Sequence, residues 1–134
     1  MVPCMTFLPI NRRVVWMGFC VAVLSLGLTY WRIPYGTVNL PEALYGPALA
    51  MTAIACAVAL WMRATRFWRG VLIFASTPPT TVMIRVIADC IADPTRHNLW
   101  PFEVAIAYGV GMPCALAGAV IGWIAARLWH GQPS

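Results

Sequence analysis

Residues 104–126 read VAIAYGVGMPCALAGAVIGWIAA, and no charged residue interrupts them before Arg127. About 20 apolar residues in a helix are needed to cross roughly 30 Å of hydrocarbon. Pro101 and Glu103 stand just before this stretch, and both favour a helix start, because proline loses nothing in the first turn and a carboxylate meets the positive end of the helix dipole. The sequence therefore predicts a membrane-spanning helix over residues 102–126.

Three further apolar windows precede this one, and they predict helices over residues 14–31, 45–62 and 70–92. The segments that connect the windows are short, which favours antiparallel neighbours. The chain of 134 residues is long enough for one domain. We expect a single all-α domain over residues 1–134, a polytopic four-transmembrane-helix antiparallel bundle.

The composition supports a membrane location. The chain is 61% hydrophobic and 10% charged, with a mean hydropathy of +0.76, whereas soluble domains carry about 25% charged residues. The lipid bilayer is therefore the expected partner of the apolar surface. Nucleic acid is not expected, because the arginines stand at the ends of apolar runs and form no polar basic patch. The five cysteines match no metal or disulfide pattern.

The arginines are distributed unequally, and the chain contains no lysine. The positive-inside rule places arginine-rich helix ends in the cytoplasm. Residues predicted on one side are Arg12, Arg13, Arg63, Arg66, Arg69 and Arg127. Residues predicted on the other side are Arg32, Arg96, Glu42, Asp89, Asp93 and Glu103. We expect a multi-pass protein of the bacterial inner membrane, with its N- and C-termini in the cytoplasm.

Aromatic residues near the predicted boundaries support the same topology, since Trp and Tyr favour the headgroup region. The predicted outer belt comprises Tyr30, Trp31, Tyr35, Tyr45 and Trp100, and the inner belt Trp61, Trp68 and Trp129.

The third predicted helix carries a polar stripe, because Thr77, Thr81, Arg85 and Asp89 recur every four residues. An intramembrane charge costs on the order of 3 kcal/mol, so Arg85 needs a partner, and Asp89 is one turn away. One interpretation is a ligand, ion or proton site. The other is a fixed Arg85–Asp89 ion pair that sets the helix register.

Two prolines, Pro78 and Pro79, stand beside this stripe and predict a kink. They free backbone carbonyls near Phe74 and Ala75. The neighbouring hydroxyl side chains are expected to satisfy those carbonyls; they are Ser76, Thr77, Thr80 and Thr81.

Other polar residues are expected on the outer face near Arg85. The full candidate site comprises Arg85, Asp89, Asp93, Glu103, Glu42, Arg32, His97, Thr77 and Thr81. His97 and the carboxylates lack the convergent partners that catalysis or a metal requires. No nucleotide-binding loop or metalloprotease motif is present. We therefore expect no catalytic residue, no metal and no cofactor.

The last helix carries small residues at helical spacing: Gly111, Ala115, Gly118 and Gly122. Small residues let two helices approach closely in lipid. They predict either packing inside the bundle, against the alanines of the second helix, or self-association or docking to another membrane protein. The sequence favours internal packing.

Small size and absent catalytic motifs favour a non-enzymatic accessory, partner-binding or immunity-type membrane protein. One alternative is a small oligomeric transporter or channel with a polar path on the third helix. Another is a lipid-modifying enzyme whose outer-face residues are Arg32, Asp89, Asp93, His97 and Glu103.

Overall fold

The computed structural model describes residues 9–34, 44–95 and 99–131, and these residues form five helices and no strand. The helices are α1 (Pro9–Tyr30), α2 (Pro47–Trp61), α3 (Phe67–Ala75), α4 (Thr77–Ala92) and α5 (Trp100–His130). α3 and α4 together form one broken rod, so the described residues form four rods, as predicted from the four apolar windows.

The third rod breaks at Ser76, immediately before Pro78 and Pro79. Proline has no N–H to continue the helical hydrogen bonds, so the predicted kink is confirmed. The sequence predicted that neighbouring hydroxyl groups bond the carbonyls of Phe74 and Ala75, but the hydroxyl hydrogen bonds of the described residues go to other carbonyls. The Ser76 hydroxyl donates to the carbonyl of Ile73 at 2.6 Å. In the same way, the Thr80 hydroxyl donates to the carbonyl of Ser76 at 2.6 Å.

The Ala75 carbonyl at this break lies against α5 instead. A Cβ on Gly111 would collide with the Ala75 oxygen and would lie 3.0 Å from the Pro78 ring. Only glycine at position 111 leaves room for the Ala75 carbonyl, so the break in the third rod packs directly against α5 at this residue.

Helix α2 is shorter than the predicted span of 45–62. It has 15 residues and begins after Gly46, whose φ of 141° is a conformation that glycine adopts readily and other residues rarely do. It ends before Arg63, which has a φ of 53°. Arg63 and Ala64 donate their N–H groups to the carbonyls of Leu60 and Ala59, both at 2.9 Å. These two bonds form a Schellman turn that terminates the helix.

The core has two parts, one near each end of the bundle. The first includes Val15, Leu60, Phe74 and Ala119. The second includes Tyr30, Leu49, Val86 and Ala107. Every rod contributes to both parts, so consecutive rods run in opposite directions and the two termini of the described bundle lie at the same end.

Consecutive rods are antiparallel, as predicted, but α2 and α5, which are not consecutive, are parallel neighbours. α5 packs in parallel on α2, because Gly118 faces Ala53 and, one turn later, Gly122 faces Ala57. The rings of Trp61 and Trp129 continue this contact at 6.3 Å between centroids. Short connections determine the direction of consecutive rods, but packing of small residues determines which rods lie side by side.

Within the described ranges, three helical segments are long and apolar enough to cross a membrane: residues 12–30, 67–92 and 100–130. α2 is apolar but is about 22 Å long at 1.5 Å per residue. The buried residues Leu44 and Ala64 extend its apolar column beyond both helix ends.

Candidate functional site

Arg85 lies in the middle of α4 and is bonded to the end of α1. Its Nη1 donates to the carbonyl oxygen of Tyr30 at 3.0 Å, and its Nη2 donates to the carbonyl oxygen of Ile33 at 2.7 Å. Its Nε lies 3.5 Å from Oδ2 of Asp89. Each nitrogen of the guanidinium therefore has an acceptor within this chain.

The position of these carbonyls explains why a cation is stable there. The last four carbonyls of a helix have no partner within that helix. They also form the negative end of the helix dipole, and cations near it are stabilised by about 0.3–1 kcal/mol. α1 ends at Tyr30, so the Arg85 guanidinium bonds a carbonyl of the last turn of α1 and meets the negative end of its dipole at the same point. The Ile33 carbonyl lies in the segment that follows the helix.

The side chain of Tyr30 completes this arrangement. The Arg85 guanidinium carbon lies 4.8 Å from the centroid of the Tyr30 ring, a cation–π distance. Tyr30 is only 1% exposed, so its predicted place in the outer aromatic belt is wrong. The ring packs in the core and against the guanidinium.

The Arg85–Asp89 pair predicted from the i,i+4 spacing is present, but it is the weaker part of the arrangement. The Arg85 side chain is 10% exposed, whereas that of Asp89 is 36% exposed. At 3.5 Å, this contact is also longer than the hydrogen bonds of 3.0 and 2.7 Å to the two carbonyls. Among these three contacts, the main-chain carbonyls of Tyr30 and Ile33 are therefore closer partners of Arg85 than Asp89 is.

Trp31 makes a second connection between α1 and α4 that the sequence did not indicate. Its indole Nε1 donates to the carbonyl of Thr81 at 3.3 Å. The ring lies over Gly27, where an added Cβ would be 2.7 Å from it. The glycine four residues before a tryptophan was the available signal, because residues at this spacing share a helix face.

The two threonines of the stripe lie in the core. Thr77 and Thr81 are both fully buried. The Thr81 hydroxyl donates to the carbonyl of Thr77 at 3.0 Å. The hydroxyls of Thr77 and of Thr52, on α2, are buried without a hydrogen-bond partner among the described residues.

The other predicted outer residues have separate positions. Asp93 follows α4 and accepts hydrogen bonds from the N–H and hydroxyl of Thr95, at 3.2 and 2.7 Å. Glu103 lies half-buried in the first turn of α5, as predicted.

Arg32 is exposed and forms no ion pair with a described carboxylate. Glu42 and His97 lie outside the described residues. The described ranges contain no cluster of three metal-ligating side chains.

The four predicted packing residues of α5 all face the interior of the bundle. Gly111 contacts the break in the third rod, and Gly118 and Gly122 contact the backbone of α2. Ala115 is buried, and its carbonyl accepts a bond from the Cys56 thiol at 3.4 Å. Contacts within this chain therefore occupy the face that the sequence offered for packing or self-association.

The arginine-rich end of the bundle contains two cavities on either side of Thr65. The larger, of about 590 Å³, is lined by Arg12 and Arg69. The smaller, of about 350 Å³, is lined by Arg63 and Arg127. In the smaller cavity the Arg127 guanidinium carbon lies 3.7 Å from the centroid of the Trp123 ring.

Comparison with known protein families, curated proteins and solved structures finds no match to this chain. The fold and the site define it as a small all-helical bundle with several apolar helices of membrane-spanning length.

Proposed function

We propose that this chain is a multi-pass protein of the bacterial inner membrane that acts as a non-enzymatic accessory or partner-binding subunit, including the immunity type. Three helical segments of spanning length support insertion. The grouping of Arg12 with Arg69, and of Arg63 with Arg127, supports an orientation with this end and both termini in the cytoplasm.

The observation that carries this proposal is the position of Arg85. Its guanidinium is bonded to the Tyr30 and Ile33 carbonyls and to Asp89. A residue that binds or transfers a charged substrate must exchange partners, whereas these contacts hold two helices together. The intramembrane charge therefore supports a scaffold, and the outward surface remains for interaction with partners.

Orientation is tested with reporter fusions joined after Arg69 and after Thr95. We expect cytoplasmic reporter activity from the first and periplasmic activity from the second. Periplasmic activity from the Arg69 fusion would overturn the proposed orientation.

Partner binding is tested by placing a photoreactive residue at an exposed position of α5 or of α1. Ile121 is 61% exposed and Leu24 is 56% exposed, and they belong to rods on opposite sides of the bundle. A discrete crosslink to one other protein from one position, but not from the other, supports a partner-binding face. Crosslinks only between copies of the chain would indicate self-association, and lipid adducts alone from both positions would count against a protein partner.

A small oligomeric transporter or channel is favoured by one observation, the buried hydroxyls of Thr77 and Thr52 that lack a described partner. This alternative predicts flux in liposomes that falls when Thr77 is replaced by valine in a folded protein. The accessory proposal predicts no flux with either protein.

A further inference from the structure

A basic groove separates the start of α1 from the start of α3. Its volume is about 590 Å³, within the range of about 300–1,000 Å³ typical of ligand sites. Its lining includes Arg12, Trp16, Thr65, Arg69, Leu72 and Ile73. The groove thus combines two cationic side chains and a hydroxyl group with an apolar wall.

The two arginines of the groove have no acceptor among the residues that the structure describes. Neither Arg12 nor Arg69 forms a hydrogen bond or ion pair with any described residue. The described acids lie at the other end of the bundle, near the end of α4 and the start of α5; they are Asp89, Asp93 and Glu103. Two unpaired guanidinium groups facing one cavity are complementary to a phosphate, which arginine binds through paired hydrogen bonds.

The apolar wall identifies the class of ligand. Trp16 and Leu72 are each 58% or more exposed and line the groove beside the arginines. A free phosphate would gain nothing from such a wall, whereas an acyl chain would bury it. Basic pockets between helices on the cytoplasmic side of a membrane suit anionic lipid headgroups.

We propose that this groove binds one anionic phospholipid, with its phosphate between Arg12 and Arg69 and an acyl chain along Trp16 and Leu72. This inference rests on the proposed insertion in a membrane. The smaller neighbouring cavity, of about 350 Å³, leaves less room for a headgroup and an acyl chain.

The chain offers a matched control for this proposal. Arg13 and Arg66 are exposed and adjoin the same helix starts, but they do not line the groove. The double variants Arg12→Gln/Arg69→Gln and Arg13→Gln/Arg66→Gln therefore carry the same net charge. Only the first removes the phosphate contacts of the groove.

Lipid binding is measured by native mass spectrometry on delipidated protein in detergent, titrated with dioleoyl phosphatidylglycerol. We expect one saturable lipid on the wild type and on Arg13→Gln/Arg66→Gln. The Arg12→Gln/Arg69→Gln protein should bind roughly thirtyfold more weakly, since each arginine near a headgroup contributes a factor of about five. Dioleoyl phosphatidylcholine should bind weakly to all three proteins.

Three results would overturn the proposal: equal weakening in both double variants, equal binding of the two lipids, or displacement of the lipid by millimolar inorganic phosphate or glycerophosphoglycerol. Alkaline washing of the source membranes separates this inference from the proposed function. A chain that stays in the washed membranes but selects no lipid would contradict lipid binding in the groove and leave the proposed membrane insertion intact. A chain released as soluble protein contradicts both.

Discussion

Arg85 donates a hydrogen bond to the main-chain carbonyl of Tyr30, 55 residues earlier, and its guanidinium also lies 4.8 Å from the ring of that residue. A single side chain thus covers the end of α1 and packs on its last aromatic residue. The contact joins the first and third rods near the end opposite the arginine-rich cavities. A charge in an apolar segment is stable here because a helix terminus needs donors.

Replacing Arg85 tests how much this contact stabilises the bundle. Arg85→Gln should lower the free energy of unfolding by about 2–4 kcal/mol, because it removes two charge-assisted hydrogen bonds to part-buried carbonyls and the cation beside Asp89. Asp89→Asn should cost about 1 kcal/mol or less, since the contact is 3.5 Å long and the amide oxygen can still accept from Arg85. Chemical denaturation in detergent micelles measures both. Equal losses would show that the ion pair, and not the carbonyls, holds Arg85.

The glycines of α5 predict substitutions of opposite sign. Gly122→Ala should destabilise the protein by about 1–3 kcal/mol, because its Cβ would lie 2.7 Å from Cα of Ala57. Gly109→Ala has open space around the added Cβ and should stabilise the helix by about 1 kcal/mol. Thermal unfolding in the same detergent compares them. Stabilisation by both would contradict close packing of α5 on α2.

Arg63 occupies a backbone conformation that favours glycine, with a φ of 53° at the end of α2. Arg63→Gly should raise the unfolding free energy by about 1 kcal/mol, because a side chain in this conformation costs roughly 1–2 kcal/mol. Arg63→Ala removes the same charge but retains the backbone strain, so it is the control. If alanine stabilises as much as glycine, the gain comes from lost charge repulsion.

Gly27 gives the indole of Trp31 its position on α1. Gly27→Ala should displace the ring and break its 3.3 Å bond to the Thr81 carbonyl, so it should be about 1 kcal/mol less stable than Gly18→Ala, which gains the same helix propensity. Gly18→Ala is the matched substitution on the same helix, because its nearest neighbours would lie at 3.4–3.6 Å, an ordinary contact distance. The indole N–H signal of Trp31 in NMR spectra should shift only in the Gly27 variant.

The helices themselves followed from local patterns. Apolar runs, prolines and helix-start residues act over a few positions, so α5 and the break at Ser76 were predictable. The boundaries of α2 were not, because they depend on the conformations of Gly46 and Arg63. Arginine gives no warning of a turn that glycine usually occupies.

The candidate site was predictable only where its members share a helix. Arg85 and Asp89 are one turn apart, and they meet as their spacing indicates. The carbonyls of Tyr30 and Ile33 are main-chain groups, and every residue has one, so no side-chain pattern marks them as partners.

The sequence alone determined that this chain is helical, apolar along four windows and basic at one set of helix ends, because these properties are sums over neighbouring residues. The tertiary structure alone decided that α5 lies parallel against α2, that Arg85 ends on α1, and that Arg12 and Arg69 face one groove. Those outcomes depend on which helix faces approach each other. The glycines of α5 contact the backbone of other rods, and such contacts exist only in the assembled bundle.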